Sequence, residues 1–212
     1  MLGESLNQIN EHIFFNKKNG KYIEIGAGSE GLSTLFFENE LGWTGILVEP
    51  NLVSAKKLEK VRPNSIVSYS PISIDPVVYF HSYHGPSADM SAIEETVTDD
   101  ISVVYYNDEI ILNEKRTCEM VEAKTLTEII SENYDFMVID VNGHEPEVLE
   151  SWDFSYDVRF IIYHSKSLDE SRANECENIL RKNKYVFVDC LLIHRKMFDV
   201  WQKEPKQNCI IS

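Results

Sequence analysis

The 212-residue chain has no apolar run near the ~20 residues that a membrane-spanning helix requires. Its first residues, Met1 to Gln8, lack a basic segment followed by an apolar core, so no secretory signal is expected. Cysteine is sparse. The four residues, Cys118, Cys176, Cys190 and Cys209, form no C-x-x-C pair. That spacing predicts neither a disulfide framework nor a zinc motif, but free thiols in a reducing, cytoplasmic compartment. Positive charge is scarce too: 20 Lys and Arg stand against 35 Asp and Glu, a net charge of -15. A nucleic-acid backbone needs a cationic surface, so this balance argues against nucleic acid as the main substrate. It also disfavours anionic membranes. A neutral acceptor such as a sugar fits better, although solubility alone would account for the charge equally well. Repeats and low-complexity linkers are absent, so residues 1–212 are expected to form one domain.

What is present is centred on one turn. Tyr22 to Ile25 is a short apolar run of the length of a buried parallel strand. It stops in Gly26, Gly28 and Gly31, spaced G-x-G-x-x-G, and a helix-like stretch follows from Leu32 to Leu41. Strand, glycine turn and helix is the layout of a nucleotide-binding βα unit. Two acids decide what such a turn would take. Glu24, near the end of the strand, suits a cation and would repel a pyrophosphate. Glu49 ends a second apolar run, Gly45 to Val48, where a carboxylate can accept hydrogen bonds from both hydroxyls of a ribose. NAD and S-adenosylmethionine (SAM) sites share the second feature, and Glu24 turns the reading towards SAM, whose sulfonium and amino groups are positive.

The rest of the chain alternates. Apolar spacing predicts a helix over 6–15, ended by Lys17 to Gly20, and another over 52–61 with Asn51 as N-cap. Ser65 to Tyr69 reads as a third strand, and Ser70, Pro71 and Ile72 follow it where an adenine ring would lie. His81 to Asp100 reads as a long loop with one short helix, flanked by His81 and His84. Strands are expected at 101–106, 110–112 and 117–123, a helix at 125–133, and a strand from Asp135 to Asp140. A helix opened by Pro146 follows, then a strand ending at His164, a helix over 170–183, and strands at 185–188, 193–198 and 208–211. This order predicts an α/β fold: a Rossmann-like doubly wound sheet of about seven strands, mostly parallel, with an antiparallel C-terminal strand.

Three stretches together are similar to one family. Tyr22-Ile23-Glu24-Ile25-Gly26-Ala27 resembles the opening strand of FkbM-like SAM-dependent methyltransferases. Gly42 to Asn51, Gly-Trp-Thr-Gly-Ile-Leu-Val-Glu-Pro-Asn, resembles their second strand. Thr125-Leu126 with Ile139-Asp140-Val141-Asn142-Gly143-His144-Glu145 resembles their Asp-x-x-Gly-x-Glu turn. The likeness runs in order from about Asn7 to His164. It implies a class I methyltransferase fold and methylation of hydroxyls, often on sugars or glycosylated products. One departure is Asn142, where the family often has Glu.

This reading assigns Glu24, Gly26, Ala27, Gly28 and Gly31 to the methionine end of SAM. Glu49 and Pro50 go to the ribose, Ser70, Pro71 and Ile72 to the adenine, and Asp140 to the cofactor's edge. S-adenosylhomocysteine (SAH) is the product. Asp140, His144, Glu145 and His164 are the candidates for activating the acceptor hydroxyl, a poor nucleophile at neutral pH. Asp140, Glu145 and His164 also form a candidate divalent-metal set. Three have an ordinary alternative: Asp140 as a turn-capping residue, Glu145 as an N-cap or a partner of the helix dipole, His144 as a surface histidine. Trp43, Trp152 and Trp201 read as packing residues. Two competing functions remain open: an NAD-dependent oxidoreductase using the same glycines and Glu49, and a non-catalytic domain that keeps the fold, which Asn142 permits. The expected partners are a sugar or glycan acceptor and, for one domain of a larger glycan-building polypeptide, glycosyltransferases. Neither nucleic acid nor membrane insertion is expected.

Overall fold

The computed structural model describes residue 14 and residues 16–85, 88, 90–97, 116–165, 168–193 and 196–205. Apart from Phe14, the helix expected over 6–15 lies outside them, as do the strands expected over 101–112 and 208–211. In chain order the elements are β1 (Lys21–Ile25), α1 (Leu35–Leu41), β2 (Thr44–Val48), α2 (Leu52–Val61), β3 (Ile66–Ser68), β4 (Val77–Tyr83) and β5 (Ala92–Ile93). There follow β6 (Arg116–Glu122), α3 (Leu126–Ile129), β7 (Tyr134–Ile139), α4 (Glu145–Glu150), β8 (Val158–His164), α5 (Glu170–Lys182), β9 (Tyr185–Ile193) and β10 (Lys196–Lys203).

Seven strands form one sheet in the order β3-β2-β1-β7-β8-β10-β9. The pairs from β3 through to β8 are parallel. β10 runs antiparallel to both of its neighbours. The central strands are buried on both faces because helices cover both, which is why they read as continuous apolar runs. Period-two alternation divides the core. Ile23, Ile25, Met137, Ile139, Ile161 and Tyr163 meet Leu126, Leu149 and Leu180 of α3, α4 and α5. Tyr22, Phe136, Val138, Phe160 and Ile162 meet Phe37 of α1, Leu58 of α2 and Trp43. Each such side chain withdrawn from water contributes about 1.5–3 kcal/mol. All three tryptophans are buried, as a packing role requires.

The chain reverses direction across the sheet between β1 and β7. In an open α/β sheet the ligand crevice lies beyond the carboxyl ends of the strands at that switch point. The glycine turn after β1, Glu49 after β2 and Asp140 after β7 all reach it.

Four expectations need correction here. Helix α1 begins at Leu35, not Leu32, and residues 28–34 are turns. The cause is Thr34, the N-cap residue, whose hydroxyl donates to Glu24 instead of capping the helix. The helix expected over 125–133 is the shorter α3, opened by a Thr125–Glu128 capping box and ended where Ile130 turns extended. The long loop beginning at His81 is also different in kind. β4 pairs along its whole length with β6, from Val77↔Glu122 to Tyr83↔Arg116. With β5 they form a second, three-stranded antiparallel sheet. His81 is therefore a buried strand residue. Its strand escaped notice because its hydrogen-bond partners lie far along the chain. At the C-terminal end, β9 continues to Ile193 and β10 starts only at Lys196.

Candidate active site

A cavity of about 370 Å³ opens beyond the ends of β1, β2 and β7. That lies in the range of small-molecule sites. Glu24 and Glu49 both line it, with the backbone of Gly26, Ala27 and Gly28 between them. Gly26 carries φ +80°, and a Cβ there would lie 1.9 Å from the Asp140 carbonyl oxygen. Only glycine lets the ends of β1 and β7 approach so closely. Asp140 N–H donates to Ile25 O at 2.9 Å across the same gap.

Glu24 is buried and accepts from Thr34 Oγ1 at 2.5 Å and from Ser33 N–H at 3.2 Å. Burial pushes its pKa up, against the opposing pull of Thr34, Arg62 and Ser33. Glu49 accepts from Gly28 N–H at 2.8 Å and from Asn51 N–H at 2.7 Å, so the glycine turn itself aims this carboxylate. Asn51 caps α2 through its Oδ1, as expected, and its Nδ2 donates to Tyr83 O at 2.7 Å and Ser91 Oγ at 3.0 Å. That residue ties the main sheet to the small one. The small sheet in turn supplies Phe80, Ala92 and Ile93 to the cavity wall. Pro50, Pro71 and Ile72 line it from the other strand ends, whereas Ser70 does not, nor does Gly31, whose carbonyl is turned to Arg62.

The four acid–base candidates divide. Asp140 and His144 line the cavity, while Glu145 and His164 stand behind it. Asp140 accepts from Lys196 Nζ at 2.6 Å and lies 3.2 Å from His164 Nδ1. Burial opposes its charge, but His164 and Lys196 outweigh that and hold its pKa below the usual carboxylate value. Glu145 accepts from the N–H groups of Val141 (3.1 Å) and Gly143 (3.0 Å), pinning the turn that precedes α4. Burial, reinforced by the Asp140 charge, raises its pKa to about 7. His144 is buried and its Nδ1 lies 3.0 Å from Thr96 Oγ1. Burial lowers its pKa to about 4, so the ring is neutral at pH 7. Its Nε2 is buried with no hydrogen-bond partner among the described residues. Asn142 adopts φ +55°, a left-handed conformation that asparagine tolerates better than most residues. Its Nδ2 donates to Ser91 O at 3.2 Å.

The donor atoms of Asp140, Glu145 and His164 do come within 4.8 Å of one another. Lys196 already places a positive charge on Asp140, and both Glu145 oxygens take backbone N–H groups.

Residues 20–187 match the model of the methyltransferase FkbM domain. The chain belongs to that family. Its methyl donor is accordingly SAM, and the nicotinamide alternative falls away. Two carboxylates on a cavity of this size fit the sulfonium, amine and diol of that cofactor. No curated protein sequence matches the chain significantly. Among solved structures, a putative sarcosine dimethylglycine methyltransferase from Galdieria sulphuraria is similar at 10% identity and TM-score 0.52, covering 95% of this chain and 86% of that one. The ribosomal protein L11 methylase of Lactobacillus delbrueckii subsp. bulgaricus is similar at 11% identity and TM-score 0.50, covering 88% and 72%. At such identities the likeness is one of fold. No helix among the described residues is long and apolar enough to cross a membrane.

Sequence reading missed three groups. Lys196 gave no signal, because only the β8–β10 pairing brings it to Asp140. Ile93 was hidden in the supposed loop, and Phe80, just before it, was assigned to no strand. Arg62, wholly buried, donates to Gly31 O at 2.6 Å and braces the glycine turn from behind. An arginine closing an amphipathic helix ordinarily reads as solvated.

Proposed function

We propose that the protein is a SAM-dependent O-methyltransferase acting on a hydroxyl of a sugar or glycan. When bound, SAM supplies an electrophilic methyl group. The chain's own part is to orient, desolvate and remove a proton. Glu24 offers a buried negative charge at the methionine end, Glu49 accepts from the ribose hydroxyls, and Pro71 and Ile72 cover the adenine.

The observation that carries the acceptor half of this reading is His144, which lines the cavity and whose buried Nε2 has no hydrogen-bond partner among the described residues. Glu147 Oε2 lies 3.6 Å from Nδ1, which favours the proton on that nitrogen and leaves a lone pair on Nε2. A neutral imidazole there can accept the proton of an alcohol aligned with the methyl group. Lys196 and His164 keep Asp140 ionised and fixed, so Asp140 positions the acceptor and the cofactor's edge. A divalent ion at Asp140, Glu145 and His164 would first have to displace Lys196, so we assign these residues to positioning. A sugar hydroxyl suits a site with polar donors such as Asn142 and an apolar wall of Phe80 and Phe198. A chain of this kind would work beside glycosyltransferases that build the acceptor.

The test is transfer of labelled methyl from SAM to a panel of free sugars, glycosides and glycolipids, alongside SAH calorimetry. Methyl transfer to a hydroxyl, lost in His144→Ala with SAH binding retained, is the expected result. SAH binding with transfer only to amines or carboxylates would overturn the substrate class. Binding without transfer to any acceptor would favour the non-catalytic alternative.

A further inference from the structure

The small sheet assembles three metal-ligating side chains outside the cofactor cavity. His81 lies on the middle strand β4. Its cross-strand partners are Ala92 on β5 and Cys118 on β6. Two residues on from Ala92 comes Glu94, the first residue of a single 3-10 turn, Glu94–Thr96. Ile93 is still extended where the turn begins, and the turn carries the Glu94 carboxylate to His81 and Cys118. The result is compact: His81 Nε2 is 3.7 Å from Glu94 Oε1, and Cys118 Sγ is 3.7 Å from Glu94 Oε2. All three donor atoms lie within 4.8 Å of one another.

Around a tetrahedral zinc ion, with bonds of about 2.0–2.3 Å to nitrogen, oxygen and sulfur, neighbouring ligand atoms stand about 3.3–3.6 Å apart. The two Glu94 spacings, one to each of its carboxylate oxygens, are within a few tenths of an ångström of that, and the third, between His81 and Cys118, is within 4.8 Å, so a modest closing-in of exposed side chains would complete the site. One sulfur, one imidazole nitrogen and one carboxylate oxygen are a mixed, borderline-soft set. Magnesium and calcium prefer all-oxygen sites, whereas zinc-class ions accept such a mixture. The three residues come from three separate stretches, which is why no zinc spacing is visible in the sequence.

The geometry points to a zinc-class divalent cation bound by His81, Glu94 and Cys118, with water completing the tetrahedron. None of the three lines the cofactor cavity, but their neighbours Phe80, Ala92 and Ile93 do. The ion would staple the 94–96 turn to the β4–β6 pair. Thr96, on that turn, is the residue bonded to His144. The staple would therefore also steady the ring to which the proposed function assigns the proton.

Cobalt(II) titration of the full chelator-treated chain tests this without relying on activity. Expected are one equivalent of cobalt bound, the visible bands of a tetrahedral ion, and a near-ultraviolet thiolate-to-cobalt charge-transfer band, all displaced by zinc. Cys118→Ser should abolish the charge-transfer band, and Glu94→Gln should weaken binding at least tenfold. Cys118 and Glu94 are exposed, so both variants should fold, which SAH calorimetry checks. The spectrum should persist in Asp140→Asn. Absence of a charge-transfer band in the folded parent chain overturns the proposal. So does a spectrum unchanged in Cys118→Ser, or one lost in Asp140→Asn.

Discussion

Arg62 Nε donates to Glu38 Oε2 at 2.8 Å, and both side chains are almost wholly withdrawn from water. The same guanidinium reaches Tyr22 Oη at 2.5 Å, Thr34 Oγ1 at 2.9 Å and Gly31 O at 2.6 Å. Through Thr34 the network ends on Glu24. A buried ion pair thus supports the turn that shapes the cofactor cavity. Removing one member strands the other charge, at about 3–5 kcal/mol. Arg62→Met should lose that much in denaturant unfolding and weaken SAH binding. The double variant Arg62→Met, Glu38→Leu should regain much of the stability but not the binding, because the brace on Gly31 stays broken.

Gly26→Ala should be worse than its single methyl suggests. The new Cβ meets the Asp140 carbonyl oxygen at 1.9 Å in a backbone with φ +80°. Overpacking alone costs about 1–3 kcal/mol, and the left-handed backbone adds roughly 1 kcal/mol or more. A thermal melt should show the loss. SAH affinity should fall with it, since the displaced Asp140 lines the cavity. Melting unchanged within a degree or two would show that the two strand ends can part freely.

Glu145 and His144 tilt the pH dependence of stability in opposite directions. The Glu145 pKa is raised to about 7, so its favourable share is full below the ordinary carboxylate pKa and is lost as pH rises to 7. The His144 pKa is lowered to about 4 from 6.5, so its share is full above 6.5 and is lost as pH falls towards 4. The two slopes oppose each other over most of that window. His144→Gln should therefore gain stability on acidification from pH 7 to 5, and Glu145→Gln should lose it, each by at most about 1.4 kcal/mol per pH unit. Parallel slopes in the two variants would refute this assignment.

Glu24→Gln should discriminate between the two forms of the cofactor. SAM carries a sulfonium charge that SAH lacks, and Glu24 is a buried carboxylate on the cavity wall. Loss of its charge should weaken SAM at least tenfold while SAH weakens less. Calorimetry of both ligands on one preparation checks it, and equal losses would place Glu24 away from the sulfur.

The cofactor half of the site was readable because it is local. Glu24, the three glycines and Glu49 each sit within a few residues of a strand end, and strand ends are marked by apolar runs that stop. Gly26 and Gly31 announce positive φ by their identity alone, and both have it. The acceptor half was only half readable. His144 and Glu145 are sequence neighbours with similar prior claims, yet one lines the cavity and the other pins a turn from behind. No local pattern separates them, because which one reaches the cavity depends on how α4 docks.

By itself, then, the order of residues determined the alternation of strands and helices, the glycine turn with its two acids, and through them the family. Hydrophobic period and backbone dihedral preference act over a few residues, so they can be read along the chain. Tertiary structure alone decided that Arg62 braces the turn, that Lys196 rests on Asp140, and that His81, Glu94 and Cys118 meet. Those encounters join segments distant along the chain: Arg62 arrives by the docking of α2, while Lys196, His81 and Cys118 depend on strand register, where a shift of one residue would send each to the opposite face of its sheet.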